Sequence, residues 1–145
     1  GKIDYSIVNQ ALDNDFFSKK NNASFDINDF DYYFIKGLEF EDAMATLNFY
    51  SAKIISDFIL EKYLNVKKII LCGGGRKNKT LINNIKNLIK IDVQNIDIFD
   101  LDGDYIESQA FAYLAVRSYL NKNISYPKTT NVKKPVTGGE LIINY

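Results

Sequence analysis

An apolar block near the middle of the chain runs directly into three consecutive glycines. The segment from Val66 to Cys72 ends in an uninterrupted apolar run, and Gly73, Gly74 and Gly75 follow it at once. This pattern is typical of a buried strand that ends in a tight turn. Because glycine has no Cβ, the main chain there can adopt positive φ, and a ligand can lie directly against backbone N–H groups.

A helix is predicted directly after this turn, from Asn78 to Ile89, because apolar residues recur there at helical spacing. The N-terminus of a helix carries a partial positive charge that suits phosphate, and Asn78 could either cap the helix or contact a ribose. Basic residues add to this potential, namely Arg76, Lys77 and Lys79. The alternative is a tight turn with solvated basic side chains, and the glycines alone leave both interpretations open.

Helices and strands alternate along the rest of the chain. Periodicity predicts a short helix from Ile3 to Leu12, an irregular stretch from Asp13 to Lys36, and a long amphipathic helix from Glu41 to Leu64. Beyond the turn it predicts a strand from Asn95 to Leu101, an apolar helix from Asp104 to Leu120 buried between layers, and a final strand from Glu140 to Ile143. This order of elements predicts an α/β layer architecture.

The composition excludes several classes of chemistry. The chain has no His, so it cannot supply an imidazole base or a His-ligated zinc. Lys plus Arg equals Asp plus Glu at 18 each, which leaves no net charge to attract nucleic acid or an anionic membrane. The single Cys72 cannot form an internal disulfide, and no apolar run approaches the ~20 residues that span a bilayer, so we expect a cytoplasmic location. The chain starts at Gly1 without Met, which indicates a start inside a longer polypeptide.

Two familiar phosphate loops do not fit the glycine turn. The nucleotide P-loop requires Gly-Lys-Ser/Thr after four intervening residues, and the Rossmann pattern GxGxxG requires a third glycine where this chain, counted from Gly73, has Asn78. An apolar strand that ends in Gly-Gly is instead similar to the adenosine motif of the actin-like kinase superfamily, whose backbone packs against adenosine and its nearby phosphates.

Four segments in order resemble the anhydro-N-acetylmuramic acid kinase family. The segment Leu71 to Leu81 is similar to the family signature (V/L)CGGGxxNxxL, and Asp104 to Ala115 is similar to its DxxEAxAFAxLA helix. The segment Thr129 to Gly139 resembles the closing TTGxxxPxTGG, and Glu41 to Leu47 resembles the helix start EDxxATL. The resemblance covers nearly all of the chain, and the four matches together are much more specific than any one of them.

The resemblance implies an α/β fold that is the C-terminal lobe of an actin-like (ribonuclease H-like) ATPase, with helices packed on a small mixed sheet. Residues 1–145 would form this single nucleotide-binding lobe, and the N-terminal lobe is absent. The implied enzyme uses ATP and Mg²⁺ to add water at C1 of the 1,6-anhydro ring of anhydro-N-acetylmuramic acid and phosphate at O6. The implied nucleotide contacts are Gly73, Gly74, Gly75 and Asn78. No catalytic residue or metal ligand is assigned to this chain, because the family's general base lies in its N-terminal half.

The partners that the resemblance implies are the sugar substrate, ATP, the N-terminal lobe of the same enzyme and a second copy in a homodimer. Neither nucleic acid nor a membrane is expected as a partner. The chain also departs from the family, since Ala23 and Ile27 replace two basic residues of its PKS(T/L)xR segment and Asn131 replaces a glycine. Two alternatives therefore stay open: a degenerate, non-catalytic module that keeps the actin-like fold as an interaction surface, or another actin-like sugar or acetate kinase.

Four further side chains each have a structural explanation beside a functional one. Glu107, on the apolar helix, either bonds to a neighbouring loop or lies near the nucleotide. Asp102 and Asp104 are expected to cap a helix rather than to bind a metal. Cys72, at the end of a buried strand, is expected to be an inert core thiol.

Overall fold

The structure is a computed structural model that describes residues 1–13, 30–63 and 65–143. Contacts between residues divide the chain into two compact units. The first consists of Gly1–Ile70 and Gly75–Gln94, and the second consists of Leu71–Gly74 and Asn95–Tyr145. The single lobe over residues 1–145 stays a prediction.

The described residues form five helices and two strands. The helices are α1 (Tyr5–Leu12), α2 (Phe40–Lys62), α3 (Lys79–Leu88), α4 (Ile106–Tyr119) and α5 (Pro127–Thr130), and the strands are β1 (Lys68–Leu71) and β2 (Asp92–Asn95). Short 3-10 segments lie at Tyr33–Ile35, Gly74–Lys77 and Ile96–Phe99. The two strands pair as a small parallel sheet, with α3 between them in sequence. The predicted α/β class is confirmed, although the sheet of the described residues is parallel rather than mixed.

The core of the first unit lies where α1 and α3 pack against α2. Its buried apolar side chains are Val8, Tyr50, Ala52, Ile85, Ile89 and Val93. Asp4 begins α1, because its carboxylate accepts a hydrogen bond from the Ile7 N–H at 3.0 Å. The Asp4 N–H donates to the buried hydroxyl of Thr46 on α2, also at 3.0 Å. These two bonds hold the start of α1 against α2.

The long helix predicted from Glu41 to Leu64 is confirmed, and α1 and α3 also form where the sequence predicts them. Each boundary differs by no more than two residues, which is the usual scatter at helix ends. Of the irregular stretch predicted from Asp13 to Lys36, residues 14–29 lie outside the described residues.

The second strand was predicted in the wrong place. It spans Asp92–Asn95, whereas the apolar pattern favours Asn95 to Leu101. The Asn95 side chain accepts a hydrogen bond from the Asp97 N–H at 3.2 Å, and the Asp97 carboxylate accepts one from the Gly103 N–H at 2.8 Å. Such short-range bonds from Asn and Asp compete with strand pairing, so the chain turns at the point where the strand was expected to begin.

The prediction that α4 is buried between layers is wrong. None of its residues is buried, and Phe111 and Tyr119 are 64% and 72% exposed. Among its described residues the second unit contains no other helix of comparable length, so the apolar surface of α4 has little to pack against. The prediction that Cys72 is buried is also wrong, because this thiol is exposed. The strand before it belongs to a two-stranded sheet and leaves Ile70 48% exposed.

Hydrogen bonds from the last turn of α4 hold the segments that follow it. The Arg117 guanidinium donates to the Asn123 carbonyl at 2.9 Å and to the hydroxyls of Tyr113 and Tyr126 at 3.2 and 3.0 Å. The hydrogen bond with Tyr113 is the main reason that the pKa of Arg117 is raised. Ser118 donates to the Gly138 carbonyl, so the closing segment lies beside the end of α4.

The closing segment contains two positions that require unusual backbone angles. Gly139 has φ +91°, and a Cβ added there would approach the Ser118 hydroxyl to 3.0 Å. Asn131, which stands where the family pattern has glycine, has φ 56° and ψ 25° at the end of α5. Asn adopts this left-handed region more readily than most residues, so the departure from glycine is compatible with the local fold. The strand predicted from Glu140 to Ile143 does not form, because no described strand pairs with it.

Candidate functional site

The glycine turn begins at Gly73, whose backbone conformation favours glycine. Gly73 has φ +77°, and its N–H donates to the Gly103 carbonyl at 2.8 Å within the second unit. A side chain at that φ is strained whatever space surrounds it. Gly73 therefore serves the turn itself.

Gly74 and Gly75 differ from Gly73, because neither has positive φ. Among the described residues, a Cβ added at either position would meet no atom within 4 Å apart from the adjoining residues of the chain. Neither the backbone nor the packing of the described residues thus requires glycine there. What two glycines leave at these positions is a bare main chain that another molecule can approach closely.

Asn78 caps α3. Its Oδ1 accepts a hydrogen bond from the Leu81 N–H at 3.0 Å, while its backbone is extended at φ −79° and ψ 90°. Its own N–H donates to the Gly75 carbonyl at 3.1 Å, which closes the turn. Of the two roles that the sequence allowed for Asn78, the structure shows the cap.

Two more asparagines continue from this cap. The Asn48 Nδ2, on α2, lies 3.4 Å from the Asn78 Oδ1, and the Asn84 Nδ2, on α3, donates to the Asn48 Oδ1 at 3.0 Å. We call Asn78, Asn48 and Asn84 the asparagine network. No sequence pattern predicts this contact, because Asn is abundant throughout and residues 48 and 78 meet only when α2 packs on α3.

The residues nearest in sequence to the start of α3 are basic. Arg76 and Lys77 end the 3-10 segment, Lys79 is the first residue of α3, and the first turn of α3 contains no acidic residue. Lys77 and Lys79 are exposed, whereas Arg76 is half-buried. The partial positive charge of the helix end is thus reinforced rather than neutralised by its nearest neighbours in sequence.

The acidic candidates do not assemble into a metal site. In the part of the chain that the structure describes, no three Asp, Glu or Cys side chains come together as ligands would. The Asp102 carboxylate accepts from the Asp104 N–H at 2.9 Å in the turn before α4, whereas the first turn of that helix has no side-chain cap, contrary to prediction. Glu107 lies exposed in that first turn.

An open groove of about 460 Å³ lies in the second unit between the end of α4 and Gly139 to Leu141. It contains none of the predicted site residues.

No helix in residues 1–13, 30–63 and 65–143 is both long and apolar enough to cross a membrane. The glycine turn and the start of α3 therefore remain the candidate site.

The sequence of the whole chain was compared with known families. A family model described as anhydro-N-acetylmuramic acid kinase matches residues 1–144. The chain belongs to the anhydro-N-acetylmuramic acid kinase family. The family resemblance predicted from the four segments is therefore confirmed.

Individual anhydro-N-acetylmuramic acid kinases agree with this assignment. The protein of that name from Pelagibacter ubique (strain HTCC1062) is 51% identical over 153 residues, which cover 100% of this chain and 40% of that protein. The one from Zymomonas mobilis is 38% identical and covers 97% of this chain and 39% of its own length. The one from Rhizorhabdus wittichii is 36% identical, with 96% and 38% covered. This chain thus spans about 40% of the length of the anhydro-N-acetylmuramic acid kinases it matches.

The family signature coincides with the geometry described above. Its CGGGxxN segment places Gly73 at the positive-φ position, Gly74 and Gly75 at the bare main chain, and Asn78 at the cap of α3. Ala23 and Ile27, which replace two basic residues of the family pattern, lie outside the described residues.

Proposed function

We propose that this chain is the C-terminal, nucleotide-binding part of an ATP-dependent anhydro-N-acetylmuramic acid kinase. The whole enzyme would open the 1,6-anhydro ring of its substrate with water and phosphorylate O6, which yields N-acetylmuramic acid 6-phosphate. The observation that carries the proposal is the bare main chain at Gly74 and Gly75, in a chain that matches a kinase family over residues 1–144. We assign this part to the C-terminal lobe of an actin-like fold.

The residues of the turn fit a nucleotide. The bare main chain admits a flat base, a ribose or a phosphate at van der Waals distance, and the positive end of α3 favours a negative group. A charge at an exposed helix terminus contributes only about 0.3–1 kcal/mol. One helix end and a few lysines therefore support weak binding by this chain alone, and tight binding requires contacts from the remainder of the enzyme.

ATP supplies the phosphoryl group for this reaction, and Mg²⁺ neutralises charge on its phosphates. Magnesium in such sites is held mainly by phosphates and water, with one or two protein carboxylates. We assign no magnesium ligand to this chain, and the carboxylates that hold the ion are assigned to the remainder of the enzyme. The role of its own residues is to bind and orient the nucleotide.

The acid–base chemistry is assigned to the part of the family's length that this chain lacks. The chain has no His, and Glu107 on α4 is exposed. We accordingly propose the N-terminal lobe as the partner that brings the general base and the sugar. We also propose that the enzyme pairs with a second copy of itself and is cytoplasmic.

The decisive experiment restores the missing length. A chimera joins the corresponding upstream residues of the Pelagibacter ubique kinase, which is 51% identical over this region, to residues 1–145. We expect the chimera to consume ATP with anhydro-N-acetylmuramic acid and release ADP with the 6-phosphate, detected by ³¹P NMR. The 145-residue chain alone is expected to show no turnover.

Each other result has a defined meaning. Turnover by the chain alone would contradict the proposal that this chain binds the nucleotide while the N-terminal lobe supplies the general base. A chimera that binds ATP without turnover would favour the non-catalytic module. Turnover of glucose or acetate, but not of the anhydro sugar, would identify a different actin-like kinase.

A further inference from the structure

The exposed side chains of residues 110–119 and 141–143, which we call the α4 surface, have the composition of a protein core. We propose that the N-terminal lobe of the same enzyme packs on the α4 surface, covering α4 on several sides and placing a strand beside residues 141–143. This inference rests on the proposed function, because it names the surface through which the chain joins the remainder of that kinase.

The middle of α4 is apolar in every direction. Residues 110–116 read Ala-Phe-Ala-Tyr-Leu-Ala-Val, and seven residues complete about two helical turns. Six of the seven are exposed, and Leu114 is half-buried. A helix that is apolar all round belongs inside a large protein or a membrane, and the 14 residues of α4 are fewer than the ~20 that span a bilayer. This helix therefore requires cover by protein.

The closing segment is a second, independent observation. Leu141, Ile142 and Ile143 are consecutive and all exposed, Ile142 to 76%. Successive side chains of a strand point to opposite faces, so apolar residues in a row are typical of a strand buried on both faces. Among the residues that the structure describes, no strand pairs with this segment. It has the side chains of an inner strand and lacks the neighbouring strand.

The helix and the segment adjoin. Ser118 donates to the Gly138 carbonyl, and the open groove of about 460 Å³ is lined by Ala115 and Tyr119 of α4 and by Leu141. An apolar side chain that enters this groove contacts both elements.

The area of the α4 surface fits a contact between lobes. Phe111, Tyr113 and Tyr119 are between 61% and 72% exposed. An aromatic side chain buries about 150–250 Å² when covered, so these three alone offer roughly 300–500 Å². The aliphatic side chains add to this area, and contacts between domains of one chain bury about 600–1,500 Å².

The relatives indicate which protein covers this surface. This chain covers 40% of the Pelagibacter ubique kinase, so more than half of that protein's length lies outside the matched region. A second copy of the chain would use the same patch twice, and one such contact leaves the other sides of α4 exposed. A larger lobe of the same polypeptide covers several sides and supplies the strand that residues 141–143 lack.

Hydroxyl-radical footprinting read by mass spectrometry measures this cover, because buried side chains are oxidised more slowly than exposed ones. The two samples are the full 145-residue chain and the chimera with the upstream residues of the Pelagibacter ubique kinase. We expect the oxidation of Phe111, Tyr119 and Ile142 to fall severalfold in the chimera. Phe40, the first residue of α2, is the internal control, because it is 74% exposed and lies outside the α4 surface.

A substitution measures the energy of the same contact. Ser and Phe have similar helix propensities, so Phe111→Ser should change the unfolding of the chain alone very little. In the chimera it should raise the unfolding equilibrium constant roughly tenfold to a hundredfold, because a covered aromatic side chain is lost. Phe40→Ser is the control variant. Equal changes in the two proteins would show that Phe111 acts only locally and would contradict the inference.

The outcomes separate this inference from the proposed function. If an active chimera leaves Phe111, Tyr119 and Ile142 as reactive as in the chain alone, only the inference is wrong. If they are protected in a chimera without turnover, the surface is correct and the kinase function is wrong. Protection in the chain alone that grows with its concentration would identify a second copy, and protection in the dilute chain would show that its own residues cover the surface. Either result overturns the inference.

One measurement requires only the 145-residue chain. The dye ANS fluoresces when it binds exposed apolar surface. The chain should bind it, and Phe111→Ser and Ile142→Ser should each bind less, while Phe40→Ser binds as the parent does. Equal fluorescence in all four proteins would overturn the inference even if the chimera does not fold.

Discussion

Substitution of the three glycines by alanine, one at a time, separates the folding role of the turn from its binding role. Gly73 has φ +77°, a region that costs an alanine about 1–2 kcal/mol. Replacing glycine also lowers the entropy of the unfolded chain, which stabilises by about 0.4–1 kcal/mol. The difference predicts that Gly73→Ala lowers the free energy of unfolding by up to about 1.6 kcal/mol.

The predicted change in the free energy of unfolding has the opposite sign at Gly74 and Gly75. Gly74 and Gly75 lack positive φ, and an added Cβ comes within 4 Å of no described residue beyond its chain neighbours. Only the unfolded-state term remains, so Gly74→Ala and Gly75→Ala should raise the free energy of unfolding by about 0.4–1 kcal/mol. If the nucleotide lies on this main chain, the added methyl groups obstruct it, and ATP affinity should fall by at least about tenfold, or ~1.4 kcal/mol.

Urea unfolding followed by circular dichroism gives the first quantity, and titration of the 145-residue chain with ATP and Mg²⁺ gives the second. The expected pattern is that Gly74→Ala and Gly75→Ala are more stable than the parent but bind ATP more weakly. Unchanged ATP affinity in both variants would refute the placement of the nucleotide on the bare main chain. A stabilised Gly73→Ala would refute the assignment of the turn to that residue.

Two further predictions concern the first unit. Ser56 on α2 is 1% exposed, and its hydroxyl has no hydrogen-bond partner among the residues that the structure describes, so Ser56→Ala should raise the free energy of unfolding by about 1 kcal/mol. Ser51→Ala loses a 3.0 Å bond to the Leu47 carbonyl on the same helix and should not be stabilised. Equal urea midpoints for the two variants would contradict this account. Burial, with a smaller contribution from Asp31, raises the pKa of Tyr50 above 10.0. The unfolded chain therefore loses that proton first, and the free energy of unfolding falls as pH rises beyond about 10. Unfolding midpoints measured from pH 8 to 11 should decline less for Tyr50→Phe than for the parent, and parallel declines would be inconsistent with the raised pKa.

The parts of the fold that the sequence predicted are those governed by local periodicity. Apolar spacing alone predicts the helix from Phe40 to Lys62 and the helix after the glycine turn. The sequence also indicates Asn78 as a possible cap of the second of these helices. The position predicted for β2 is wrong because the apolar residues between 96 and 101 resemble a strand. The Asn95 side chain instead bonds to the Asp97 N–H, and the Asp97 carboxylate bonds to the Gly103 N–H, which apolar spacing does not reveal. The prediction that α4 is buried is wrong because an apolar helix needs other elements to pack against, and its sequence cannot show whether this chain contains them.

The sequence by itself determined the family, the α/β class and the position of the turn, because these depend on motifs and spacings within short segments. Only the tertiary structure showed that the three glycines differ. Of the three, only Gly73 has positive φ, and no described residue beyond the chain neighbours occupies the space beside Gly74 and Gly75. It also brought Asn48 to Asn78 across 30 positions of sequence. The orientation of that amide is decided by a backbone N–H that can only donate, and no pattern of residue types contains that information.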